Sequence, residues 1–321
     1  MNATHIIKSE YLIHGLFGQL FSWCLEVLPY LEKHGIKPEW HLLSRNYGKP
    51  PGFNIFPEIL RINYLPTEHM EASEILSLED LKHREGHPSY SFQSDFALAN
   101  RLFNRYFRLP DEVINAVEAF FLTYPGQRIL GLHYRGTDKP GSTIETNPIT
   151  TDLTLRAACD LLEKKGDIDL VFVASDEESF LAKASKALPV PVISFQQRRK
   201  ANRPKDISET TFNEPLFRGH EEAENTRIGQ CALIDSLLLS RCHYLLKSQS
   251  ALSGWSKIWN PQLEAYRLAA FKQDWFPDAF IPLYKTDNSE LNAELMTVQD
   301  GEISLLQKLK SSLPVSEYLT K

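Results

Sequence analysis

The residues best suited to chemistry stand close together in the run Gly131-Leu132-His133-Tyr134-Arg135-Gly136-Thr137-Asp138-Lys139. The run grows out of an apolar stretch, Arg128–Tyr134, whose length and content predict a buried strand. Open α/β sheets bind ligands beyond the carboxyl ends of their strands, so His133, Arg135, Asp138 and Lys139 would emerge at such a rim. A guanidinium there presents a planar fork to a phosphate, and an ammonium adds a point charge. The same spacing also suits a solvated loop with an internal Arg–Asp pair.

Two further strand ends point to the same rim. Leu170–Ala174 runs into Ser175-Asp176-Glu177, which offers either a ligand carboxylate or a plain N-cap for the next helix. Tyr244-Leu245-Leu246 runs into Lys247-Ser248-Gln249-Ser250, with hydroxyls and amides where a diphosphate would sit. Asp235 stands in the otherwise apolar stretch Ile228–Arg241, and a carboxylate buried there needs a partner: Arg241, Arg227 or a ligand. Near the start, Gly15, Gly18 and Gln19 read as a tight turn between strand and helix, where a ligand can approach backbone N–H groups.

The elements that must carry these residues alternate. Ile6–Ile13 reads as a strand, Gly15–Gly18 as the turn and Gln19–His34 as a helix. Glu39–Ser44 reads as a second strand, 46–66 as loop, and Pro88–Phe107 and Pro110–Thr123 as helices. Pro125-Gly126 punctuates the chain and marks the expected boundary. Beyond it, strands at Arg128–Tyr134, Leu170–Ala174, Pro191–Phe195 and His243–Lys247 alternate with helices at Thr151–Lys164, Glu177–Leu188, Ile228–Arg241 and from Trp255 onward. The expected organisation is an N-terminal α/β domain over 1–125, a nucleotide-binding domain over 126–275 and a helical C-terminal segment over 276–321. Such alternation implies parallel sheets with right-handed crossovers, hence two Rossmann-like halves facing across a cleft.

Composition narrows the function classes. In 321 residues, 35 lysines and arginines stand against 41 acidic residues, a net charge of −6. That excludes a nucleic-acid binder working through general phosphate attraction. With 42% hydrophobic and 24% charged residues the chain has the means to bury a large core. Cys24, Cys159, Cys231 and Cys242 form no Cys-x-x-Cys and sit among apolar neighbours, which reads as four reduced thiols and a reducing, cytoplasmic setting. The apolar stretch Leu12–Leu31 contains His14, Gln19, Glu26 and Pro29, so no integral membrane segment is expected.

Taken in order, Gly-x-His-x-Arg-x-Thr-Asp-Lys, Asn147-Pro148-Ile149, Val-Phe-Val-Ala-Ser-Asp-Glu, and Leu-Ile-Asp-Ser-Leu-Leu-Leu-Ser-Arg-Cys-His-Tyr-Leu-Leu-Lys-Ser resemble the conserved blocks of the α1,6-fucosyltransferase group. That group joins core and rhizobial nodulation fucosyltransferases, with protein O-fucosyltransferases more distant. The resemblance spans roughly residues 128 to 260. It implies a GT-B fold, GDP-fucose as donor, inversion at the anomeric carbon and no divalent metal or other cofactor. It matches His133 and Asp235 to guanine recognition, Arg135 to the diphosphate, and Ser250 to a serine near the phosphates. Asp138 and Lys139 match the Thr-Asp-Lys portion needed for activity, Asp176 matches the acidic residue after the second strand, and the turn at Gly15, Gly18 and Gln19 matches a region facing the donor.

The chain also departs from the pattern. The second arginine of the blocks is Gly136, the catalytic glutamate falls on Thr143, and a Ser-Ser-Gln reads Ser250-Ala251-Leu252. Glu145, two residues beyond Thr143, stands as the alternative base, with Asp138 behind it, since pairing to a cation makes Asp138 the poorer base. The Asp-x-Asp at Asp167-Ile168-Asp169 precedes its strand, the wrong end for a metal–diphosphate. The expectation is therefore an inverting glycosyltransferase acting on a glycan or other hydroxyl acceptor. The alternatives are a GT-B transferase of another nucleotide sugar, or a binder of the same fold without a base.

Overall fold

The computed structural model describes residues 4–9, 15–49, 52–63, 74–81, 95–136, 147–195, 222–270 and 277–300. The chain divides into two compact units. Of the described residues, the first unit takes those up to Asn115 together with 222–233. The second takes those from Ala116 to 195 and from Ile234 to 300.

In the first unit, strands β1 (Thr4–Lys8), β2 (Lys37–His41) and β4 (Glu74–Ser77) form a parallel sheet in the order β2-β1-β4. A short antiparallel pair joins β3 (Arg61–Ile62) to β5 (Phe107–Arg108). The second strand thus falls at Lys37–His41, earlier than the expected Glu39–Ser44. Helices Ser22–His34 and Phe96–Tyr106 pack their apolar faces into a core of Phe21, Trp40, Phe103 and Phe107. The Phe103 and Phe107 rings lie 4.7 Å apart, and Trp40 and Phe107 5.1 Å.

The expected Gly15–Gly18 turn is absent, and the reason is apolar periodicity. Leu16, Phe17, Leu20 and Phe21 are all buried, the spacing of one helix face, and the segment Leu16–Phe21 is a π-helical turn leading straight into Ser22–His34. Leu20 N donates to Gly15 O at 3.1 Å, five residues back. Gly15 itself is extended, and its N–H donates to Gln19 Oε1 at 2.5 Å. The backbone donor expected to meet a ligand is therefore taken by the chain's own glutamine.

The second unit is built on a fully parallel five-stranded sheet in the order β10-β9-β6-β7-β8. Its strands are β6 (Ile129–Tyr134), β7 (Leu170–Ser175), β8 (Val192–Ile193), β9 (Tyr244–Lys247) and β10 (Glu264–Arg267). β6 and β7 are buried at every residue, as strands covered on both faces must be. Thr150 caps the Thr151–Lys165 helix by accepting from Leu153 N at 3.1 Å, and Gly166 ends it with φ 69°. The core joins Leu130, Leu132, Val171 and Val173 to Leu161, Phe180 and, from the Ser289–Gln299 helix, Leu291 and Leu295. Asn147 of the resemblance pattern is structural, its Nδ2 donating to Val298 O at 3.0 Å and Asp300 O at 2.8 Å.

Candidate active site

The chain builds β6, β7 and β8 outward in one direction, then returns to add β9 and β10 on the other side of β6. The strand order therefore reverses between β6 and β9, and the crevice at the carboxyl ends of those two strands is where such sheets bind ligands. β6 ends there in His133 and Tyr134, followed by Arg135, and β9 in Lys247, followed by Ser248 and Gln249.

Backbone pairing stitches the two ends together. His133 is in register with Lys247, and Ser248 N donates to His133 O at 2.9 Å. Arg135 N donates to Ser248 Oγ at 2.8 Å, so the serine of β9 fixes the residue after β6. Arg135 Nε lies 3.3 Å from Asp176 Oδ2, and Gly136 N donates to Asp176 Oδ1 at 3.0 Å. Asp176 thus brackets the end of β6 from the end of β7. Of the Ser175-Asp176-Glu177 segment, Glu177 holds the cap position of the next helix, without a side-chain cap bond, and Ser175 Oγ accepts from Glu177 N.

Gly136 stands where the resemblance has its second arginine, and the space explains the glycine. A Cβ at 136 would lie 2.2 Å from Glu177 Oε1 and 2.7 Å from Tyr134 Cε1. Tyr134 is stacked on Phe180 with ring centroids 4.3 Å apart, so it does not give way. The Glu177 carboxylate fills the volume that a side chain at 136 would need.

His133 does not stand out at the rim as expected: it is 4% exposed. Burial, reinforced by the cations of Lys247 and Arg135, holds its pKa well below the usual imidazole range, so the ring is neutral at neutral pH. Its Nδ1 lies 3.1 Å from Ser253 Oγ in the Ala251–Trp259 helix. Lys247 is also withdrawn from solvent: Nζ pairs with Asp278 Oδ1 at 2.5 Å. Burial pulls the Lys247 pKa down against the pull of Asp278. That lysine is part of the floor and not a phosphate hand.

Ser250 is extended and precedes the Ala251–Trp259 helix, with no side-chain cap on the first turn. The N–H groups of that turn lie just past β9, with the positive end of the helix dipole. Asp235 is buried on the Glu222–Ser240 helix. Of the partners offered for it, Arg241 is bridged to Glu118 at 2.5 Å. The next residue, Ser236, donates from Oγ to Leu252 O at 2.7 Å, which ties Asp235's helix to the first turn beyond Ser250.

Asp138, Lys139, Thr143 and Glu145 lie outside the described residues. Gly15, Gly18 and Gln19 belong to the first unit. Ser248 lies in the Lys247–Ser250 segment whose hydroxyls the sequence sets beside a diphosphate, whereas Ser253 is not singled out by the sequence; a serine in a helix's first turn is the signal available for it. The Asp-x-Asp at 167–169 sits at the amino end of β7, where Asp167 Oδ2 lies 2.9 Å from Arg128 Nε and Asp169 Oδ2 accepts from Arg128 N at 2.7 Å. Among the described residues, no group of three or more His, Cys, Asp or Glu converges in a way that suits a metal ion. All four cysteines are free.

No protein-family profile matches the chain, and no curated protein matches it by sequence. Among solved structures, NodZ alpha-1,6-fucosyltransferase soaked with GDP-fucose matches with a TM-score of 0.51 at 17% identity, over 83% of this chain and 95% of that one. The fucosyltransferase NodZ from Bradyrhizobium matches with a TM-score of 0.49 at 17% identity, over 81% and 94%. POFUT1 in complex with GDP matches with a TM-score of 0.47 at 11% identity, over 83% and 98%. At such identities a likeness speaks for the fold, and the fold of this chain is that of NodZ alpha-1,6-fucosyltransferase, GT-B.

Proposed function

We propose that this chain is a glycosyltransferase that takes fucose from GDP-fucose to a hydroxyl of a glycan or similar acceptor, with inversion and without a divalent metal. The observation that carries the reading is Arg135, held by Ser248 and Asp176 at the crevice between β6 and β9, beside a buried neutral histidine. The fold supports it, since the NodZ structure it resembles was soaked with GDP-fucose.

The chemistry fits those groups. As the sugar leaves, negative charge builds on the diphosphate, and fixed positive groups aimed at it lower the barrier. Arg135 and the N–H groups at the start of Ala251–Trp259 are such groups. The acceptor hydroxyl must give up a proton as the new bond forms. We assign that proton to Glu145, with Asp138 as the other carboxylate of the segment, both outside the described residues.

Thermal-shift titration with GDP, UDP and ADP tests the donor, and turnover of GDP-fucose tests catalysis. GDP should stabilise the chain most, and Arg135→Ala should weaken GDP binding about tenfold or more, the scale of one lost charge-assisted hydrogen bond, and abolish transfer. An unchanged GDP affinity in that variant would remove Arg135 from the donor site.

A further inference from the structure

The loop that follows β2 is built around one unusual residue. Phe53 has a φ of 55°, the left-handed region that glycine enters freely and a bulky side chain seldom does. Its neighbours hold it there: Ser44 N donates to Phe53 O at 2.8 Å and Lys49 N to Asn54 O at 3.1 Å. Gly48 lets the two arms of the loop close, since a Cβ at 48 would lie 1.7 Å from Phe53 O. A glycine at 53 would make the same backbone turn without strain, so the turn does not explain the phenyl ring. Nor does the aromatic core. The ring is half-buried, and among the described residues no other aromatic ring packs on it. Its partner is a cation, the Arg45 guanidinium, 5.9 Å from the ring centroid. Arg45 is exposed, and among the described residues no carboxylate bridges it.

The Glu222–Ser240 helix brings a third group to the same place. Asn225 Nδ2 donates to Arg45 O at 2.7 Å. A backbone carbonyl can only accept, so this bond fixes which end of the amide is which and leaves Oδ1 as the other. Asn225 is 9% exposed, and its Oδ1 has no hydrogen-bond partner. Buried acceptors are almost always satisfied, so a bare one asks for a donor. All three residues belong to the first unit. Arg45 lies four residues beyond the end of β2, the end of a parallel sheet at which ligands bind.

The three groups together select a chemistry. A carboxylate would suit Arg45 but has no proton to give Asn225 Oδ1. An ammonium would suit Oδ1 but is repelled by Arg45. A hydroxyl both gives and takes, and a pyranose ring adds an apolar C–H face for an aromatic ring to cover. Strained backbone of the kind at Phe53 gathers at ligand clamps. We infer that Arg45, Phe53 and Asn225 form a saccharide site on the first unit, which takes a neutral, hydroxylated pyranose ring. None of the three lies at the crevice between β6 and β9, so the site stands whether or not the donor reading does.

Saturation-transfer NMR with cellotetraose, chitotetraose and maltotetraose tests it, since these share hydroxylated pyranose rings and differ in linkage and substituent. At least one should receive saturation from the chain. Phe53→Gly should weaken that binding about tenfold or more, and Arg45→Met about threefold or more, the scales of a lost stacking face and a lost hydrogen bond. Phe53→Gly should also melt within about 2 °C of wild type, because glycine takes this φ without strain. If it melts lower, Arg45→Met decides, since an exposed side chain is removed there without disturbing the loop. No saturation of any of the three sugars would overturn the inference, as would unchanged affinity in Arg45→Met. Preference for an acidic sugar, tetragalacturonate, over all three neutral ones would make the site an anion site and overturn it too. Arg135→Ala should leave the sugar affinity unchanged, and a loss there would move the sugar to the donor crevice and away from Phe53.

Discussion

Arg135 owes its orientation to its neighbours more than to its own strand. Its backbone is fixed by Ser248 at the end of β9 and its guanidinium by Asp176 at the end of β7. Beside it, Gly136 is a steric requirement, since Glu177 and Tyr134 leave no room for a Cβ. An arginine at 136 requires both the Glu177 carboxylate and the Tyr134 ring to shift. His133 carries a pH signature of its own. Its pKa in the folded chain lies well below the value near 6.5 of the unfolded chain. Between those two values the unfolded chain binds more protons, so the stability linked to His133 is complete above about pH 6.5 and is lost as pH falls toward the folded pKa. Urea unfolding of wild type should thus lose up to about 1.4 kcal/mol per pH unit below 6.5 from this group, a slope that His133→Gln removes. Equal slopes in the two proteins would show that His133 titrates normally in the folded chain.

At the scale of elements, the end of β9 rests on a buried charge cluster. Lys247 is fully buried and pairs with Asp278, while Arg267, at the end of β10, is 2% exposed and donates from Nε to Ile281 O at 2.6 Å. Gly254, in the Ala251–Trp259 helix, lets Asp278 come close: a Cβ there would lie 2.5 Å from Asp278 Oδ1. The pair thus holds the strand end and the helix that follows it in one relation. A buried pair adds little net stability, but a lone buried charge costs a great deal. Asp278→Asn should therefore destabilise the chain by about 3–5 kcal/mol in chemical denaturation, and Lys247→Met combined with Asp278→Leu should cost distinctly less. If the double variant is the less stable of the two, the pair contributes more than its desolvation takes away.

For the whole molecule, the charge arrangement separates two routes to the same chemistry. The Asp-x-Asp of this chain is spent on Arg128 at the amino end of the sheet, and Asp176 at the carboxyl end is engaged by Arg135 and Gly136 N. Transfer by the assembled protein should persist in excess EDTA, and Asp167→Asn with Asp169→Asn should leave its rate within about twofold, since surface pairs of this kind are worth little. Strict dependence on Mn²⁺ or Mg²⁺ would place a metal at the diphosphate and transfer Arg135's role to it.

Local pattern alone determined the strands and helices that frame the crevice. The apolar runs behind β6, β7 and β9 are short and bounded by polar residues, and the helix after β6 carries its own cap at Thr150, so these elements are specified by their neighbours in the chain. His133, Arg135, Asp176 and Ser250 were legible as strand-end residues for that reason. What the pattern could not decide was which strand end meets which, because β9 pairs with β6 across a long stretch of chain. Hence Ser253 is not legible in the sequence, and Lys247 reads as a rim residue although it is fully buried against Asp278. At Gly15 and Gly18 two glycines suggested a turn, but burying Leu16, Phe17, Leu20 and Phe21 on one helical face outweighed their conformational freedom. Periodicity is local, whereas the contact of His133 with Ser253 and the glycine at 136 depend on atoms that only folding brings within hydrogen-bond reach or van der Waals contact.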